Sequence, residues 1–170
     1  MSEHHRPTAR ISRLALGLLL SLAACAGKTD AASTKPPPPE LEAVYYDSEA
    51  TEPAFKGKPA VAQAASELEK NPDLHLLLIG RADSHGSADG NMKLGLERAH
   101  ELRQVVLEQA AGKVDASRVH VGSRGQAEPT GSNDTESGRA ANRRVEFYFY
   151  YPDGTTLKSR FAPPIVIEGE

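Results

Sequence analysis

The chain has 170 residues, 20 Lys+Arg against 23 Asp+Glu for a net charge of -3, and 39% hydrophobic residues. That length holds one domain with extra segments, and the near-neutral balance excludes the concentrated basic surface of a nucleic-acid binder. A single cysteine excludes an internal disulfide and a Cys-rich zinc site.

Residues 1–24 read as a signal peptide. Arg6, Arg10 and Arg13 stand against one acid, Glu3, and residues 14–22 form an apolar run broken only by Gly17 and Ser21. A basic, then apolar, then small-residue order is that of a secretory signal, and a run of about a dozen residues is too short for a bilayer core that needs about 20. Leu22-Ala23-Ala24-Cys25 resembles the bacterial lipobox, in which the cysteine thiol accepts a diacylglyceryl group and becomes the first mature residue. An ordinary secretory signal with a chance cysteine is the alternative. Ala26 is not the aspartate that retains many such proteins at the inner membrane, so the resemblance implies an outer-membrane anchor at Cys25, with the protein facing the periplasm. Cleavage would leave 17 Lys+Arg against 22 Asp+Glu, net -5, so acyl chains rather than charge would hold the protein to anionic lipid.

Residues 25–41 follow as a proline-rich tether ending in Pro36-Pro37-Pro38-Pro39. Prolines fix the backbone near polyproline II and remove amide donors, so this stretch forms neither helix nor sheet and reaches roughly 45 Å at about 3.1 Å per residue.

A domain is predicted over residues 42–151. Val44-Tyr45-Tyr46 is a short β-type run, and residues 59–70 place Val61, Ala64, Ala65 and Leu68 at helical spacing before the Asn71-Pro72 stop. Residues 74–79 are almost continuously apolar, as in a strand buried on both faces. Residues 91–111 carry Leu94, Arg98, Ala99, Leu102, Val105 and Val106 along one helical stripe, with Gly112 as cap. Residues 118–122 and 144–151 read as strands, the latter alternating Val145, Phe147, Phe149 and Tyr151. The order β-α-β-α-β-β predicts an α+β sandwich, a mixed sheet with helices packed on one face. Residues 152–170 form a C-terminal extension, in which Pro152-Asp153-Gly154 suggests a hairpin at the sheet edge.

The densest polar cluster runs from Gly80 to Asn91, between the most apolar strand and the long helix, where such scaffolds build ligand sites. Asp83 stands at the strand end, and Arg98 shares a helix face with Asn91 two turns away. An acid and an arginine at one groove suit a zwitterion: the carboxylate takes an ammonium and the guanidinium forks a carboxylate. A plain Asp83–Arg98 salt bridge is equally consistent with the spacing.

Asp83-Ser84-His85-Gly86-Ser87, then Asn91, Leu94 and Arg98-Ala99, resembles the pattern T-D-x-x-G…N…L-S…R-A of the OmpA-like C-terminal domain family. Gly125-Gln126-Ala127-Glu128-Pro129 and Gly138-Arg139-Ala140-Ala141-Asn142-Arg143-Arg144-Val145-Glu146 match its G-x-x-x-P and G-R-x-x-N-R-R-V-E in order. With the lipobox and tether, the arrangement resembles the peptidoglycan-associated lipoproteins. The resemblance implies non-catalytic binding of peptidoglycan through the meso-diaminopimelate of its stem peptide. Asp83 takes the ammonium, Arg98 the carboxylate, and Asn91 holds loop and ligand; Arg143 and Arg144 brace the site, and Leu94 matches the motif's leucine. Ala82 replaces the pattern's threonine, Gly95 its serine and Gly90 the common aromatic. Periplasmic envelope proteins, as in a Tol-type complex, are the alternative partners. An enzyme is the remote alternative: Asp83 and His85 with His100 or His120 can be drawn as metal ligands or an acid–base pair, but no H-E-x-x-H, G-x-S-x-G or Cys/His pairing supports it. No cofactor and no metal are expected. His75, in the apolar strand, reads as a core or edge histidine, and His85 as a loop residue beside the site.

Overall fold

The computed structural model describes residues 35–51, 59–154 and 156–168. The predicted signal, Cys25 and the tether before Lys35 lie outside the described residues. Residues 36–170 form one compact unit. Its elements are β1 (Val44–Tyr45), α1 (Pro59–Lys70), β2 (His75–Arg81), α2 (Ala88–Gln109), β3 (Val119–Gly125), α3 (Glu136–Asn142), β4 (Arg144–Tyr150), α4 (Leu157–Arg160) and β5 (Val166–Ile167).

The strands form one mixed sheet in the order β1-β4-β2-β3-β5. β2 and β3 run parallel and the other neighbours antiparallel; a parallel pair requires a crossover, here α2. α1 buries Val61, Ala64, Ala65 and Leu68, and α2 buries Ala99, Leu102 and Val106, against Leu76, Leu78, Val119, Val121, Val145, Phe147 and Phe149. This is the expected α+β sandwich with helices on one face. Leu77 and Ile79 of β2 point to the opposite face and pack with Ile167, Tyr148, Phe161 and Ile165. β2 is therefore buried on both faces, which explains its unbroken apolar sequence.

β2 and β3 run further than the sequence reading, to Arg81 and Gly125, and three further elements differ from it. α2 begins at Ala88, not at residue 91, because the Ser87 side chain accepts from the Gly90 N–H at 3.0 Å and caps the first turn. It ends at Gln109, with Ala110 as cap. α3 was absent from the predicted order; Thr135 caps it by accepting from the Gly138 N–H at 3.1 Å. The C-terminal extension forms α4 and then β5, which pairs with β3 through Gly122–Ile167 and Ser123–Val166. It extends a sheet edge without the expected hairpin, drawn there by the apolar outer face of β2.

α2 crosses β2 at two glycines. A Cβ on Gly80 would lie 1.7 Å from the Gly95 carbonyl oxygen, and one on Gly95 would lie 2.4 Å from Ser123 Oγ. Gly95 thus does more than omit a hydroxyl from the helix. It permits backbone contact that sets the first turns of α2 over the end of β2.

Candidate functional site

A cavity of about 220 Å³ opens where β2 ends and α2 begins, lined by Ser48, Glu49, Asp83, His85, Gly86, Ser87, Gly90, Asn91, Leu94, Arg98 and Arg143. Asp83 follows β2, and its Oδ1 accepts from the His85 N–H at 3.0 Å, closing an Asx turn. Gly86 then takes φ +88, a left-handed conformation open to glycine, and the chain enters α2 at Ser87. The Asn91 amide donates to the Asp83 carbonyl at 3.0 Å and to Gln126 Oε1 at 2.7 Å. It ties the first turn of α2 to the strand end and to the loop after β3.

Asp83 is 5% exposed. Arg143 Nη1 donates to its Oδ2 at 2.9 Å, and the His85 ring nitrogen Nδ1 lies 3.4 Å from Oδ1. Burial pushes the carboxyl pKa up, but the hydrogen bonds from Arg143 and the His85 backbone, with the charge of Arg143, outweigh it and hold it below the ordinary 3.8. Arg143 also donates to Glu136 Oε1 at 2.7 Å and to the Tyr46 carbonyl at 3.2 Å. Desolvation pulls its pKa down, and its hydrogen bonds to Asp83 and Glu136 carry it above the ordinary value.

Arg98 is fully buried, and carbonyl oxygens accept its hydrogen bonds: Ala50 at 2.7 Å, Asp47 at 3.0 Å and Arg81 at 3.0 Å. Its guanidinium stands 5.2 Å from the centre of the Tyr46 ring. Desolvation lowers its pKa. A buried guanidinium bonded to neutral carbonyls keeps its full charge, and among the described residues three of its five N–H groups are taken, which leaves two for an anion. By contrast, an Asp83 carboxylate with both oxygens engaged still has lone-pair capacity for one more donor.

The spacing-based Asp83–Arg98 salt bridge does not form; Asp83 pairs with Arg143, sixty residues away, and Arg98 fastens the segment after β1. Arg143, expected to brace the site rather than make the primary contact, lines the cavity and bonds Asp83 directly. Arg144 lies elsewhere: its Nε and Nη2 donate to Glu146 Oε1 on the far side of the sheet end. Leu94 and Gly90 line the cavity, whereas Ala82 and Gly95 do not. Ala82 is held by its backbone N–H to the Gly125 carbonyl at 2.9 Å. Ser48, Glu49 and Glu136 were missed; they sit in polar stretches without a local signal, and only the fold brings them to Asp83. His75 pairs with His120, ring nitrogens 3.2 Å apart, and His100 with Glu168 at 2.8 Å, both away from the cavity.

The sequence matches the OmpA family over residues 45–143. The chain belongs to the OmpA family. This OmpA-family chain is 36% identical over 103 residues to the probable lipoprotein YiaD of Escherichia coli, covering 61% of this chain and 46% of that protein. It is 31% identical over 117 residues to a peptidoglycan-associated lipoprotein of Legionella pneumophila, covering 69% and 64%. The chain therefore spans less than two thirds of either relative's length. In structure it is similar to a peptidoglycan-associated lipoprotein from Burkholderia pseudomallei, with a TM-score of 0.60 at 24% identity over 65% of this chain and 91% of that one. It is also similar to the C-terminal domain of Helicobacter pylori MotB, with a TM-score of 0.54 at 18% identity over 72% and 99%. These likenesses establish the OmpA-family fold. No helix among the described residues is long and apolar enough to cross a membrane.

Proposed function

We propose that this domain binds peptidoglycan without catalysis, by taking the zwitterionic end of stem-peptide diaminopimelate into the Asp83–Arg98 cavity. The carrying observation is the pairing of opposite, buried, incompletely used charges in one cavity. Asp83 keeps acceptor capacity and a depressed pKa, while Arg98 holds its charge among carbonyls. An ammonium completes the first and a carboxylate the second. Arg143 shares Asp83 with the incoming ammonium and adds a second positive group for the carboxylate. Asn91 fixes the loop that carries Asp83. Membership of the OmpA family and the Legionella relative named for peptidoglycan association support the same reading.

At the level of the cell, the domain tethers the outer membrane to the wall: Cys25 carries the lipid and the proline-rich segment spans the gap. The lipobox and the lipoprotein relatives support this assignment.

Co-sedimentation with purified sacculi tests the site. Asp83→Asn keeps the shape of the side chain and removes its charge; it is expected to weaken binding at least about 30-fold, as does Arg98→Lys. Unchanged pelleting of both folded variants refutes the assignment.

A further inference from the structure

The outer side of the same strand end holds a second, differently built cluster. Arg81 is the last residue of β2 and follows Leu77 and Ile79 onto the outer face, where it meets Glu146, whereas Asp83 lies beyond the strand end and lines the cavity. Arg81, Arg124 and Arg144 are 4%, 6% and 4% exposed, and three guanidiniums share two carboxylates. Glu146 serves Arg81 and Arg144. Glu128 serves Arg124 at 2.6 Å and reaches Arg81 only at 3.4 Å.

Arg124 is the incomplete member. Its Nη2 donates to Glu128 Oε1 and to the Ala162 carbonyl, both at 2.6 Å, and its Nε is buried without a hydrogen-bond partner among the described residues. A buried guanidinium so poorly served costs free energy until an anion completes it. Its present counter-charge comes from the surface, where a ligand can compete for the same guanidinium. The Glu128 side chain is 55% exposed, and its backbone sits at φ +52, a conformation that is strained for a residue with a side chain.

We propose that Arg124 and Arg81 form a second subsite for a carboxylate of the wall polymer, occupied at rest by Glu128. A ligand carboxylate displaces Glu128 and forks the Arg124 guanidinium, as Arg–carboxylate pairs do. The loop linking the two subsites is short: Gln126 touches Asn91 in the first cavity, and Glu128 closes the second. One wall fragment thus meets both sides of the strand end. This subsite rests on the peptidoglycan reading above.

The test is co-sedimentation of the full chain, in detergent, with sacculi at fixed ionic strength. Glu128→Gln, an exposed change that leaves the core alone, is expected to tighten binding about threefold, and Arg124→Gln to weaken it about threefold. The gain from Glu128→Gln must vanish on sacculi whose carboxyl groups have been converted to amides; its persistence there contradicts a carboxylate ligand. Both variants matching wild type, while Asp83→Asn loses binding, overturns the second subsite and leaves the first intact. If Asp83→Asn also binds normally, the peptidoglycan reading itself fails. A thermal melt of Arg124→Gln separates lost binding from lost folding, and the Glu128→Gln arm decides the question if that variant does not fold.

Discussion

Two networks at the β2 end, one around Glu146 and one around Asp83, bury arginines in opposite ways. On the outer face Glu146 is saturated: Arg81 donates through Nε and Nη2 at 3.2 and 3.0 Å, Arg144 through Nε at 2.8 Å, and the Tyr148 hydroxyl at 2.7 Å. Burial pushes the Glu146 carboxyl up, but these partners hold it below 4.5. On the cavity face, Arg98 has carbonyl partners and Asp83 has one arginine. A saturated carboxylate such as Glu146 has nothing left to offer a ligand, so it stabilises; groups of similar burial that keep hydrogen-bonding capacity, such as Asp83 in the cavity, are the ones that recognise.

Substitutions on the two faces should therefore separate binding from stability. The largest effect is expected on the outer face. Glu146→Ala strands two buried guanidiniums and should destabilise the fold by about 3–5 kcal/mol in chemical denaturation. The molecules that remain folded should keep the Asp83-dependent part of their binding to sacculi, since Glu146 does not line that cavity. A crowding change gives a comparable loss: Gly80→Ala drives a methyl into the Gly95 carbonyl and should cost about 1–3 kcal/mol or more, since the close contact is with backbone. Because it lifts α2 off β2, it should weaken binding as well.

Acid provides a smaller and reversible lever on the cavity face. The folded Asp83 pKa lies below its ordinary 3.8. Its stabilising contribution is therefore present above that ordinary value and lost as the pH falls through the depressed folded one. Wild type should lose stability and wall binding together over that acid range, and Asp83→Asn should lack this component of the stability profile. The smallest effect is expected at His85. Its side chain is 70% exposed and stands 3.4 Å from Asp83 Oδ1, so His85→Ala should alter binding by less than about 1 kcal/mol in the sacculus assay.

Much of this fold was legible because its elements satisfy local and global demands together. The apolar run of β2 and the stripe of α1 each point to one solution. α3 was not legible: Glu-Ser-Gly-Arg-Ala-Ala-Asn has no apolar stripe, and its existence depends on the Thr135 cap and on Asn142 bonding the loop at Thr130 and Gly131. β5 is only two residues long and exists because an apolar sheet face awaits it. In the site, Asp83, Asn91, Leu94 and Arg98 were legible from spacing along one strand–loop–helix passage. The Arg143 contact was not, because its partner lies sixty residues away and helix or strand periodicity is silent at that range. The run Asn142-Arg143-Arg144 carried the motif without saying which arginine faces the cavity. The register of β4, which pairs Arg144 with Tyr45 and Val145 with Gly80, places the two side by side on different faces.

The central claim is that a charge-matched cavity takes the amino and carboxyl groups of one ligand end together. Isothermal titration of the protein with soluble stem peptides tests it most directly, comparing diaminopimelate-containing peptide with otherwise identical peptide carrying lysine, which lacks the second carboxylate. The account predicts binding of the diaminopimelate peptide, at least about 30-fold weaker binding of the lysine peptide, and loss of that difference in Arg98→Lys. Equal affinity for the two peptides in the wild-type protein would contradict it.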